Sequence, residues 1–322
     1  MTLLQCNADF ENFLVGDAVG GGKAMDRARM VARLFALMGP PGSQVVAMAA
    51  GTSESLDADA IRLEARTLDL YDDETARAAP WLAEVIPYAW DERTSLHAAL
   101  SKAVNSKAFS HTLASENGLE PGVFRQARLI HSVEEIPAQQ SRWTLKPLWG
   151  FAGGGRLHGD ARGLNAASLQ RLPDILARDG ALLFEPWVDR IDDVSTQILV
   201  TPQEVRVLMH CHLYCTPAGR YQGNGTWTQE THVPELRRAA LMVGNALQKA
   251  GYVGVAGIDA FTFTDPLDGK VQLRPLVEIN ARFTLGLITG WMAVMHAARR
   301  GPSPWRFELD VKQPFGTWSF LG

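Results

Sequence analysis

Residues Leu276-Val277-Glu278-Ile279-Asn280-Ala281-Arg282 form the most informative segment of this 322-residue chain. On a strand, successive side chains point to opposite faces. Glu278, Asn280 and Arg282 therefore share one face, and Val277, Ile279 and Ala281 share the other. Just upstream, across the turn sequence Thr264-Asp265-Pro266-Leu267-Asp268-Gly269, lies Gly257-Ile258-Asp259-Ala260-Phe261, which sets Asp259 between apolar neighbours. Two carboxylates and an amide oxygen are hard oxygen donors of the kind Mg²⁺ prefers. Alone, the pattern is more often a surface strand with a Glu278–Arg282 salt bridge. The order of the features before it tips the balance.

Upstream of this hairpin the chain reads as alternating helices and strands. Ser106 can cap a helix carrying Phe109 and Leu113, with Lys107 at its start and Gly118 at its end. Trp143–Pro147 reads as a strand bearing Lys146, followed by Gly150-Phe151-Ala152-Gly153-Gly154-Gly155-Arg156. Backbone N–H groups in such a loop approach phosphate oxygens closely because no Cβ intervenes. A helical stripe of Leu169, Leu172, Ile175 and Leu176 ends near Gly180, and a strand follows at Ala181–Glu185. Strands at Ser195–Val200 and Val205–Tyr214 flank a turn, and a helix spans Pro234–Lys249 before Gly251. The last strands are Ala256–Phe263 and Lys270–Asn280.

The flanks say less. In residues 1–100 a helix is expected over Met25–Met38, a buried strand over Gln44–Ala49 and a further strand over Arg66–Leu70. Gly20-Gly21-Gly22-Lys23 fails as a phosphate loop, because Asp17 and Ala24 stand where Gly and Ser or Thr are needed. Tyr221–Glu230 reads as a polar, glycine-bearing loop that with His210 and Arg220 could face an acceptor. A loop or packing role outweighs a specificity role for His210, Arg220, Tyr221 and Trp227, and Trp90, Asp91 and Arg93 stand in the same position. From Trp291 onward a helix with Met292, Met295 and His296 is followed by a tail expected to pack on the outside.

Composition narrows the function classes. A net charge of −4 argues against nucleic-acid binding, which calls for a basic face. No apolar run reaches the ~18 residues a membrane-spanning helix needs, and the N-terminal segment lacks the pattern of a signal peptide. Three cysteines suit a reducing, cytoplasmic setting. Cys211 and Cys215 flank His212, but their spacing is wrong for a zinc pair and core positions fit them better.

Taken in order, these features resemble the ATP-grasp family of carboxylate–amine and carboxylate–thiol ligases, over roughly Asn105 to Gly286. The resemblance implies an α+β chain: an α/β N-terminal domain at 1–104, then two antiparallel-sheet subdomains, 105–184 and 185–322, gripping ATP. It implies that Lys107 and Lys146 contact the α- and β-phosphates and that Gly153, Gly154 and Gly155 fold over them. Glu185 and Val188 would border the adenine edge in a Glu-x-x-hydrophobic linker, and Asp193 would bind the ribose, with Asp192 as its neighbouring rival. Asp259, Glu278 and Asn280 would hold Mg²⁺, or Mn²⁺ in its place, and Arg282 would steady the transferred phosphate. The implied activity is ATP-dependent ligation of a small carboxylate to an amine or thiol, with amino-acid or peptide-like substrates, no nucleic acid or membrane partner, and a homodimer as one assembly state. A kinase using the same nucleotide site and a non-catalytic nucleotide-binding or partner-binding protein are the competing readings.

Overall fold

The computed structural model describes residues 3–7, 22–39, 41–49, 52–77, 98–138, 141–150 and 155–320. At the N-terminus, β1 (Leu3–Asn7) pairs in parallel with β2 (Gln44–Ala49), and α1 (Gly22–Met38) lies between them in the chain. An antiparallel β3 (Thr52–Asp57) completes this three-stranded sheet. The segment expected as a strand at Arg66–Leu70 instead closes α2 (Ala58–Thr67). The Asp57 carboxylate caps that helix by accepting from the N–H groups of Asp59 and Ala60, and Ile61 and Ala65 bury one face four residues apart. Local capping and helical periodicity override the alternation of Leu68 and Leu70 with polar neighbours.

Two short helices follow, α3 (Ala98–Val104) and α4 (Lys107–Glu116), the second capped by Ser106 as expected. A five-stranded antiparallel sheet then runs in the order β4-β8-β5-β6-β7, from β4 (Arg128–Ile130), β5 (Trp143–Pro147), β6 (Leu157–Asp160), β7 (Gly163–Leu164) and β8 (Leu182–Pro186). Helix α5 (Ala166–Asp179) packs Leu172 and Ile175 against Ile130, Trp143, Leu145 and Phe184. Every residue of β5 and β8 is buried, Thr144, Lys146 and Glu185 included, so burial does not alternate along these strands.

The larger sheet has seven antiparallel strands in the order β13-β12-β9-β10-β11-β14-β15. Its members are β9 (Arg190–Val200), β10 (Val205–Cys215), β11 (Tyr221–Thr226), β12 (Gly254–Thr264), β13 (Val271–Asn280), β14 (Trp305–Glu308) and β15 (Thr317–Phe320). Helix α6 (Val233–Lys249) sets Val243 and Leu247 in one core with Ile198, Ala256 and Ile258. Helix α7 (Leu285–Arg300) sets Ile288 and Trp291 in another with Leu199, Cys211 and Phe307. Helix α4 also lies on this sheet, where the Ile279 N–H donates to Ser110 Oγ. Among the described residues no helix is long and apolar enough to cross a membrane.

Two expectations fail at the C-terminal side. Tyr221–Thr226 is a strand inside the large sheet rather than a loop, and the tail after α7 adds two strands instead of packing outside. Trp305, Phe307 and Phe315 are buried. The glycines that made β11 look like a loop permit close approach: a Cβ on Gly223 would collide with the Phe307 carbonyl of β14.

Candidate active site

The two strands of the opening segment meet as expected. Asp259 on β12 stands directly opposite Glu278 on β13, and Asn280 donates from Nδ2 to Asp259 Oδ2 at 3.1 Å. Arg282 Nη2 donates to Asn280 Oδ1 at 2.9 Å, and Lys107 Nζ reaches Glu278 Oε1 at 2.8 Å from the start of α4. Burial, and then the charge of Glu278, push Asp259 up to about 7. Burial also works upward on Glu278, but the Lys107 ammonium outweighs it and holds that carboxyl below its usual range. Two crowded carboxylates suit a divalent hard cation, which would relieve the repulsion that raises Asp259, and the Asn280 amide, whose nitrogen now faces Asp259, would turn its oxygen to such an ion. Among the described residues no three His, Cys, Asp or Glu side chains converge as a zinc centre would require, and Cys211 is a buried core residue.

A second layer supports Asp259 and was not read from the sequence. Ser195 on β9 lies opposite Asp259 in register and hydrogen-bonds its carboxylate. Gln197 Nε2 donates to Ser195 Oγ at 2.9 Å, and Thr284 Oγ1 donates to Gln197 Oε1 at 2.5 Å. Strand alternation puts Asp193, Ser195 and Gln197 on one face of β9, which is the signal that would have found them.

Lys146 and Glu185 form a buried ion pair between neighbouring strands β5 and β8. Arg274 of β13 donates from Nη2 to Glu185 Oε1 at 2.7 Å and to Glu120 Oε1 at 3.2 Å. Burial drives the Lys146 ammonium below the lysine range against the pull of Glu185. Burial pushes Glu185 upward, but Arg274 and then Lys146 hold it well below the carboxylate range. The Glu185 side chain is thus engaged within the protein. Val188 lies just past β8 and lines a small hollow with Phe124, Lys146 and Phe261.

A cleft of about 930 Å³, counting its open mouth, lies over the large sheet. Asp193, Asp259, Glu278, Asn280 and Arg282 all line it, beside Gly150 and Arg156 at the glycine loop's two ends. Asp192 is on the other face of β9, where Gln229 Nε2 donates to its carboxylate. Asp193 is the acid facing the cleft, paired with Arg190 at 2.7 Å. Gly155 has φ +77, a conformation natural to glycine, while Gly153 and Gly154 lie outside the described residues, as do Trp90, Asp91 and Arg93.

No family model matches the chain. Over 196 residues it is 28% identical to the [Butirosin acyl-carrier protein]–L-glutamate ligase of Niallia circulans, covering 58% of this chain and 45% of that protein. The chain thus spans a little under half the length of that curated relative. Solved structures with a coarse likeness include N5-carboxyaminoimidazole synthetase from Staphylococcus aureus complexed with ADP, at 10% identity and a TM-score of 0.46, over 64% of this chain and 57% of that one. L-amino acid ligase from Bacillus licheniformis matches at 16% identity and a TM-score of 0.40, over 62% and 49%. Lys146 lies on the five-stranded antiparallel sheet, and in the seven-stranded one the strand bearing Asp259 pairs with the strand bearing Glu278 and Asn280. In sequence the chain is thus similar to one curated carboxylate ligase, and its sheets carry the paired strands that the ATP-grasp resemblance implies.

Proposed function

We propose that this protein is an ATP- and Mg²⁺-dependent ligase that activates a small carboxylate as an acyl phosphate and couples it to an amine, with a thiol as the less common acceptor. The observation that carries the reading is the placement of Asp259, Glu278 and Asn280 on adjacent strands, within one constellation with the buried ammonium groups of Lys107 and Lys146. Asp259, Glu278 and Asn280 would hold Mg²⁺, or Mn²⁺ in its place, and the ion would neutralise charge on the β- and γ-phosphates. Segments 105–184 and 185–322 would grip the nucleotide between them, with 1–104 as a separate α/β unit.

Lys107 and Lys146 are proposed to exchange their present carboxylate partners for phosphate oxygens. The base edge would lie against the backbone of Glu185–Val188, and Asp193 would accept from the sugar hydroxyls. The substrate carboxylate oxygen forms a bond to the γ-phosphorus as the bond to the β-phosphate oxygen breaks, releasing ADP. Arg282 would steady the group in transfer. The amine nitrogen then attacks the acyl carbon, phosphate leaves with the C–O bond's electrons, and the nitrogen loses a proton. Acyl phosphates hydrolyse in water, so residues 150–155 closing over the site would protect the intermediate.

The relative from Niallia circulans carries L-glutamate in its name, which makes L-glutamate the first donor to try. The test is phosphate release from MgATP with L-glutamate and other amino acids, followed by mass spectrometry of the condensed product. A ligase needs both donor and acceptor for full turnover and yields one amide, or one thioester where the acceptor is a thiol. Phosphorylated donor accumulating as the final product would convert the reading to a kinase.

A further inference from the structure

We propose that Arg190 is a gate on the base seat, and that its departure both admits the base and frees Asp193. The inference rests on the nucleotide reading above and deepens it. Two hollows adjoin at the linker: the small one bordered by Glu185, Trp187 and Val188, and the main cleft holding Asp193, Asp259 and Glu278. Arg190 and Phe261 line both and so form the partition between them. The Arg190 guanidinium lies over the Phe261 ring, 4.3 Å from its centroid, and 5.8 Å from that of Trp187. Its Nη1 is 2.7 Å from Asp193 Oδ1, with side chains only 18% and 14% exposed.

A base whose edge meets the linker backbone needs an apolar plane for its face. The Phe261 ring is available for this, beside Val188 and Phe124 in the same cluster. Stacked rings sit at van der Waals separation, roughly 3.5–4 Å, which is the layer the guanidinium fills. Guanidinium and base therefore exclude one another. Arg190 opens β9 immediately after the linker, so rotation about its side-chain bonds clears the layer while the backbone stays paired in the sheet. The same rotation breaks the ion pair and leaves both Asp193 oxygens able to accept from the two hydroxyls of a ribose. Base entry and exposure of the sugar-binding acid become one event, and the closed fraction lowers apparent nucleotide affinity in proportion.

The experiment is calorimetric titration of MgADP into the wild-type protein, Arg190→Ala and Arg190→Lys, with stopped-flow association rates and circular dichroism melts alongside. Losing one partly buried ion pair and one cation–π contact predicts about tenfold tighter MgADP binding by Arg190→Ala, with Arg190→Lys between the two. The wild-type association rate should level off at high MgADP, set by gate opening, and Arg190→Ala should stay linear. Equal or weaker binding by a folded Arg190→Ala overturns the gate, since the arginine is then inert or a contact to the base. Absence of MgADP binding by both folded proteins overturns the nucleotide reading itself, and the gate with it.

Discussion

Glu278 is the residue on which most of the site turns, because it faces Asp259 across the strand pair and holds Lys107 on its other side. Glu278→Gln keeps the shape but removes the charge that pairs with Lys107 and that the proposed metal would use. We expect MgATP-dependent phosphate release to fall by about 10²-fold or more, read against a circular dichroism spectrum that stays native. Unchanged turnover would reject the metal assignment. A pH dependence follows from Asp259. Burial and Glu278 raise its carboxyl to about 7, so it is protonated below that pH and ionised above it. Protons then compete with the metal, and the Mg²⁺ concentration for half-maximal activity should climb about tenfold per pH unit below 7 and flatten above; a requirement flat from pH 8 to 6 would contradict this. The shared face of Glu278 and Asn280, proposed as metal ligands with Asp259, was legible because strand alternation fixes it within a few residues of sequence. Arg274 was not: its partners Glu185 and Glu120 are 89 and 154 residues away, separations that no local pattern encodes.

Elements were legible where one period dominated, as in Gln44–Ala49 and the helix over 234–249, and were lost where tertiary demands outranked composition. Strand β11 looked like a loop because its glycines carry no apolar signal, yet the sheet needs their small size. Gly223→Ala should force β14 away from β11 and cost about 1–3 kcal/mol, seen as a lower urea midpoint with an unchanged slope. A neutral result would mean that the C-terminal strands add little to the sheet. The segment 66–70 shows the opposite error. Its apolar residues suggested a strand, while the Asp57 cap and the buried pair Ile61 and Ala65 had already committed the preceding residues to a helix.

Across the whole molecule, Arg274 ties three regions together: β13 of the large sheet, Glu185 of the small sheet, and Glu120 beyond α4. It is 1% exposed, so removing it strands buried carboxylates rather than surface charges. Arg274→Ala should lower unfolding free energy by about 3–5 kcal/mol, and combining it with Glu185→Gln should cost less than the sum of the two. Full additivity would show that the arginine is not coupled to Glu185. The sheets so joined define the cleft, and the cleft gives the account its function. A crystal structure with Mg²⁺ and a nonhydrolysable ATP analogue tests this most directly. The account predicts a metal at roughly 2.1 Å from oxygens of Asp259, Glu278 and Asn280, with Lys107 and Lys146 turned onto the phosphates. A nucleotide bound elsewhere, or those three side chains directed away from it, would contradict the account.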